Sequence, residues 1–281
     1  MMNYRRRLRI ETKMRARGIL LRTLFACLAV TVIGKILSVL GGFLASGILP
    51  YNMLTQETDL LNYFPDILKY MGIILGVMLI SSPLTMGIYS WFYELSALRK
   101  QKISSIFNWM GDTRLIFKAL SASLWFAALG MMWAVAYMIV PASLYFYLRV
   151  FAAGSNPMGM YSAGLLENVL LIAGIVLTAT RVISYQPALF VLAGNPEMSV
   201  RKAFAECSRY MNGRRMEYFL FALSFLVWYL LATMTFGLML LFVEPYYNIA
   251  MISYAQLIRG EWLVGTGQIK PEELNRPPEG E

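Results

Sequence analysis

LLFVEPYYNI, residues 240–249, sets a carboxylate, a proline and two tyrosines inside an otherwise apolar run. In one reading, Glu244 and Pro245 mark where the chain leaves a membrane, and residues 216–243 form one span of 28 residues. In the other, a charge stands inside a membrane helix. Residues 216–235 and 238–258 are then two spans joined by a tight turn at Phe236 and Gly237. Each of these pieces makes about 30 Å of helix at about 1.5 Å per residue, which matches a hydrocarbon core of about 30 Å.

Composition supports a membrane setting. Of 281 residues, 58% are hydrophobic and 15% charged, and the mean hydropathy is +0.55. A soluble domain carries about 25% charged residues, and apolar runs of about 20 residues recur here, the length that crosses a bilayer. The class read from this is an all-α, polytopic transmembrane bundle. Cys27 lies in an apolar run and Cys207 in a basic amphipathic segment, and neither spacing suggests a disulfide or a metal site. The chain has no histidine. That removes the commonest general base and the Ser-His and Cys-His nucleophile pairs. The expectation is a protein that is not an enzyme and holds no cofactor and no metal.

Charge chooses between the two readings. Six spans are read at about 24–49, 67–93, 119–140, 168–192, 216–235 and 238–258. The basic start before the first run could belong to a signal peptide, but the run is too long for a signal core and reads as an uncleaved anchor. Pro83 and Gly87 loosen the second span, and Pro141 followed by GSNPMG marks the loop after the third. Loops rich in Lys and Arg stay in the cytoplasm. With six spans, segments 1–22, 94–118, 194–215 and 259–281 hold 8, 5, 5 and 3 basic residues, 21 of the 25. The external loop 50–66 holds none, and it carries Glu57, Asp59 and Asp66. A five-span chain would strand Arg259, Lys270 and Arg276 outside. Six spans with both termini cytoplasmic is the expectation: a basic segment 1–22, one membrane domain 23–260, and a polar, proline-containing tail 261–281 that reads as disordered.

Between Asn195 and Gly213, Val200, Ala203, Phe204, Cys207 and Met211 recur at helical spacing while Arg201, Lys202 and Arg209 point elsewhere. Asn195 and Pro196 suit an N-cap and first turn. The segment 197–212 reads as an amphipathic helix, either on the membrane surface with its basic side toward headgroups or packed on the bundle.

SYQPALFVLAGNP (184–196), YMNG (210–213), LSFLVWYLLATMTFG (223–237) and EPYYNIAMISYA (244–255) resemble an uncharacterised integral-membrane family of Gram-positive bacteria, domain of unknown function 975. The residues that carry the resemblance are Tyr185, Asn195, Pro196, Ser208, Met211, Gly213, Leu223, Ser224, Phe225, Trp228, Thr235, Gly237, Pro245, Tyr246 and Tyr254. It is strong over about 180–260, weaker at Pro83 and Gly87, and absent from both termini. Around Pro141 this chain departs from the Pro-Gly turn usual in the family. The family is more distantly similar to the membrane domain attached to some glycerophosphodiester phosphodiesterases. The resemblance implies a six-span bundle and assigns no activity.

Four charges fall at membrane depth or its edge: Lys35, Glu167, Arg181 and Glu244. A charge at the bilayer centre costs about 2.5–3.5 kcal/mol on insertion scales, so each must face the bundle interior or a wet cavity. Glu244, Tyr247, Met251 and Tyr254 share one helical face, opposite a stripe of Ser224, Trp228, Leu231 and Thr235 on the preceding span. Two readings stay open. Lys35, Arg181, Glu244 and Tyr247 could line a cavity for an anionic headgroup or peptide carboxylate, or Glu244 could clamp helices by pairing with Arg181 or Lys35. The Ser81–Ser82 pair reads as hydrogen-bonding backbone freed by Pro83. GGFLASG (41–47) and the Gly72/Gly76 pair allow close helix approach or homodimerisation. The N-terminal arginines suit anionic lipid rather than nucleic acid. A binding or auxiliary protein for lipid, peptide or a membrane partner ranks first, a transporter or exporter of an anionic amphiphile second, and an intramembrane enzyme third.

Overall fold

The computed structural model describes residues 2–46, 64–99, 102–151 and 157–270. Most of the expected external loop 50–66, part of the GSNPMG segment and tail residues 271–281 lie outside the described residues. Among those described, the regular structure is all helical. It comprises α1 (Met2–Arg22), α2 (Leu24–Ser46), α3 (Phe64–Ser96), a 3₁₀ turn (Ile103–Phe107), α4 (Asn108–Gly111), α5 (Thr113–Phe151), α6 (Pro157–Ile183), α7 (Gln186–Gly194), α8 (Val200–Tyr210), α9 (Arg215–Leu223), α10 (Leu226–Met234) and α11 (Leu240–Gly265).

Three stretches are long and apolar enough to cross a membrane: Thr113–Leu144, Asn168–Gly194 and Arg215–Met234. A fourth arises if the pair Arg5–Arg22 and Leu24–Ile36, bent by 94°, counts as one span. Residues 5–22 are thus a helix set nearly at right angles to α2, rather than only a basic leader.

The opening question has a structural answer: Glu244 lies inside α11, and residues 215–265 form a helical hairpin. Phe236 and Gly237 adopt φ of 50° and 83°, the left-handed conformation that ends a helix and that glycine adopts without steric cost. Gly237 N–H donates to Ala232 O at 2.9 Å. The Thr235 hydroxyl donates to Ala232 O at 3.0 Å and accepts from Met239 N–H at 3.2 Å, closing the start of α11. An antiparallel aromatic ladder then zips the arms together. Phe221 meets Tyr254 with ring centroids 4.4 Å apart, Phe225 meets Tyr246 and Tyr247 at 5.4 Å, and Tyr229 meets Tyr247 at 5.9 Å.

That ladder corrects the expected facing stripe. The buried positions are Tyr218, Phe221, Phe225 and Ala232, whereas Trp228 and Leu231 are exposed. The large rings bury more area and form edge-to-face pairs, so they take the inner face. α11 is the central post: Ile249 through Ala255 are all buried on it. The helix also runs five residues past the expected domain edge at 260.

α5 and α6 form an outer antiparallel pair. A Cβ on Gly174 would lie 3.0 Å from Tyr137 O, and one on Gly130 would lie 3.6 Å from Val182. Pro141, expected to end a span, sits inside α5 instead. Proline cannot donate to the carbonyl four residues earlier, and that carbonyl is Tyr137 O, where Gly174 lets α6 come close. The apolar side chains left exposed on this pair, among them Met131, Val135, Ile139, Val169 and Ile172, suit contact with lipid rather than water. Gly87 in α3 proves to be an approach point. A Cβ there would come within 1.9 Å of Ile106 O, so the 3₁₀ turn seats directly on the helix. Ser82, expected to satisfy backbone near Pro83, accepts a hydrogen bond from Ser123 of α5 at 2.8 Å.

The amphipathic segment is α8. Ala203, Phe204, Cys207 and Tyr210 are buried, and Arg201, Lys202 and Arg209 are exposed. Its N-cap is Ser199, whose hydroxyl accepts from Lys202 N–H at 3.4 Å. Asn195 instead ends α7, with its backbone N–H and side-chain amide both donating to Val191 O. The Cys207 thiol donates to Ser184 O at 3.3 Å, in the break between α6 and α7. Burial pushes that thiol up to about 12, which keeps it in the unreactive protonated form near pH 8. Cys27 is buried as well. The native protein should therefore resist maleimide at pH 8 until denatured, whereas the Lys202→Cys variant should label at once. Rapid labelling of Cys207 in the folded protein would contradict the packing of α8.

Candidate functional site

Three breaks and a hairpin bring polar groups from five helices together. Lys35 of α2 pairs through Nζ with Glu244 Oε1 of α11, both side chains being partly buried. On the next turn of α11, Tyr247 comes near the Gln186 side chain, as does Tyr89 of α3. Gln186 opens α7 after the break at Ser184 and Tyr185, with Pro187 in the first turn, where a missing N–H costs nothing. Tyr229 of α10 packs edge-on against Tyr247. Glu244 acts electrostatically on both Tyr89 and Tyr229. The result is one ion pair flanked by three tyrosines and an amide. The group can pair an anion with Lys35, accept a proton donor at Glu244, and offer hydroxyls as either donor or acceptor.

Arg181 is not part of it. Its guanidinium carbon lies 4.3 Å from the centre of the Trp133 ring, and its Nε donates to Tyr137 OH at 3.2 Å. Trp133 Nε1 in turn donates to Tyr185 OH at 3.3 Å. Arg181 therefore fastens α6 to α5 and pairs with no carboxylate among the described residues. Among the described residues, no group of three His, Cys, Asp or Glu could hold a metal ion.

The signature residues act at the hairpin and its seam with α1. Thr235 and Gly237 make the turn, Pro245 is buried within α11, and Trp228 faces outward. Ser224 accepts a hydrogen bond from Lys13 Nζ at 2.7 Å, in the break between α9 and α10. The same ammonium lies 4.5 Å from the centre of the Phe225 ring, and Tyr246 OH donates to Lys13 O at 3.4 Å. The Tyr254 hydroxyl bonds Glu217, which Arg5 also reaches at 3.2 Å. Further ion pairs, Arg259 with Glu206 and Arg214 with Glu261, bind α8 and the start of α9 to the end of α11.

Lys13, Gln186, Tyr89 and Tyr229 were not singled out from sequence. Gln186 and Tyr89 stand in apolar runs, a signal that could have found them. Lys13 sits among seven arginines within the first 22 residues, and nothing local distinguishes it.

A family model described as "Protein of unknown function (DUF975)" matches residues 2–261. The chain belongs to this family. The DUF975 match takes in α1, which sequence reading alone had placed outside the resemblance, as well as α5 with its internal Pro141. Neither the curated proteins nor the solved structures contain a match to the chain.

The geometry separates the two cations that sequence left equivalent. In a double-mutant cycle, Lys35→Met and Glu244→Gln should couple by about 0.5–3 kcal/mol, while Arg181→Met and Glu244→Gln should be additive within about 0.5 kcal/mol. Thermal unfolding of the purified variants in one detergent measures both. Coupling to Arg181 but not Lys35 would overturn the assignment.

Proposed function

We propose that this DUF975 protein is a multi-pass protein of the bacterial cytoplasmic membrane, with six spans and both termini cytoplasmic. In this reading it is a non-enzymatic, cofactor-free binding or auxiliary protein that engages anionic lipid and, through it, a membrane partner or a second copy of itself. The observation that carries the reading is the posture of α1. With α2 along the membrane normal, the 94° bend lays α1 in the membrane plane. Its inner face, Thr12, Ala16 and Ile19, is buried on the bundle. Its outer face exposes Ile10 (49%), Met14 (61%) and Leu21 (67%), continued by Phe25 (87%) at the start of α2. Arg6, Arg7 and Arg17 of the same helix are exposed as well. Apolar groups that dip below the headgroups and arginines that reach back to phosphates are the two halves of interfacial binding, and each basic residue near an anionic surface contributes about 1 kcal/mol.

Transport of an anionic amphiphile is the second reading, and the Lys35–Glu244 group among Tyr89, Tyr229 and Tyr247 favours it. An interior cation with hydroxyls around it is what an anionic substrate would need at mid-depth.

Two measurements test the proposal. A reporter fused after Lys270 should report the cytoplasm, since 21 of 25 basic residues fall on that side in the six-span arrangement. An external signal would restore the five-span reading. In nanodiscs, the native protein should unfold at a higher temperature in phosphatidylglycerol than in phosphatidylcholine. Replacing Arg6, Arg7 and Arg17 by Gln should remove most of that difference. Equal stability of the native protein in both lipids would overturn lipid engagement by α1.

A further inference from the structure

A cavity of about 410 Å³ opens where the C-terminal end of α3 meets the 3₁₀ turn, α4 and the end of α7. Its size falls within the range of about 300–1,000 Å³ usual for small-molecule sites. Trp91, Trp109, Glu94, Arg99, Ser105 and Asn108 line it. It is separate from the Lys35–Glu244 group and from the outer face of α1, so it stands or falls independently of the proposed function.

Three features set this cavity apart from a surface dent. Trp91 is 98% buried (2% exposed), and its indole Nε1 has no hydrogen-bond partner among the described residues. Buried indole N–H groups nearly always have an acceptor. Leu98, next to Arg99 in the chain, holds φ of 64°, a conformation usually left to glycine. Non-glycine residues in that region carry strain that clusters at functional sites. Here the strain has a visible product. Leu98 closes the helix cap, with Arg99 N–H donating to Glu94 O at 3.1 Å. That folds the Arg99 side chain back, so that Nη1 donates to Glu94 Oε2 at 3.1 Å. Finally, a Cβ on Gly194 would come within 2.3 Å of the Tyr93 ring, so only the bare glycine lets α7 close this wall.

The lining has opposite charges side by side and no excess of either. Arg99 is more than half exposed and keeps donors beyond the one spent on Glu94. Glu94 accepts only. The Ser105 hydroxyl, already donating to Lys102 O at 2.8 Å, is left to accept. We propose that this cavity binds a small zwitterion that carries an oxyanion and an ammonium, as a phosphoethanolamine group does. The oxyanion meets Arg99, and the ammonium meets Glu94 and Ser105. That group could arrive as the headgroup of a lipid or as a free molecule.

The test uses the full-length protein in nanodiscs of phosphatidylcholine and phosphatidylglycerol. One arm titrates free phosphoethanolamine by calorimetry; the other scores retention of phosphatidylethanolamine against phosphatidylcholine by native mass spectrometry. Glu94→Gln and Arg99→Gln should each weaken binding by about tenfold or more. Arg99 is a surface side chain, so its variant reads binding rather than folding. Binding in both arms means the cavity takes the group from either source, and binding in one arm names the source. Absence of binding in both arms, or binding unchanged in Arg99→Gln and Glu94→Gln, overturns the proposal.

Discussion

Glu244 stands seven residues beyond a hairpin turn, inside α11, and Lys35 is the cation that meets it. The rest of the arrangement is organised around that meeting. A carboxylate carried into a bilayer by the proposed hairpin costs about 2.5–3.5 kcal/mol on insertion scales unless it is paired or hydrated. Pairing requires α2 to lie against α11, and α1 turns aside at its start. The bend of 94° between them achieves this. α1 then runs over α9 and α11, where Lys13, Arg5 and Tyr246 fasten it. The ion pair, the bend and the docking of α1 are consistent parts of one solution.

A second regularity is that interruptions in helices serve as docking points. Where a helix breaks, backbone carbonyls lose their partners and need new ones. At Ser184 the freed carbonyl receives the Cys207 thiol and anchors α8. At Ser224 the break receives the Lys13 ammonium and anchors α1. At Pro141 the orphaned Tyr137 carbonyl lies against Gly174, where α6 approaches. In the first two cases a side chain from elsewhere in the sequence completes what the local sequence leaves undone. This is why α7, only nine residues long, can be buried almost throughout.

Much of this was legible before any coordinates. Helical class, the turn at Phe236 and Gly237, and the buried face of α8 follow from apolar period, turn chemistry and charge placement. Pro141 misled because proline usually ends a helix in water, whereas a packed neighbour with a glycine at the right height lets the helix continue. Asn195 misled because asparagine serves at both ends of helices, and Ser199 lay four residues on to do the capping. The Ser224–Trp228 stripe misled by a single position. Spacing alone cannot choose between adjacent stripes, and the rings of Phe221, Phe225 and Tyr229 decided it by area and edge-to-face geometry.

The division of labour between Lys35 and Arg181 shows where residue chemistry could have gone further than depth. Both stand near the middle of apolar runs, and depth made them equal candidates for Glu244. Yet a guanidinium is planar, weakly hydrated and able to stack, whereas an ammonium is a compact, strongly hydrated point charge. An arginine can therefore be housed by a tryptophan face and a tyrosine hydroxyl, as Arg181 is by Trp133 and Tyr137. A lysine at comparable depth gains less from such a cradle and needs a carboxylate. With Trp133 and Tyr137 spaced four apart on α5, one aromatic face was already available to an arginine on the neighbouring helix. The Glu244 carboxylate then belonged to Lys35.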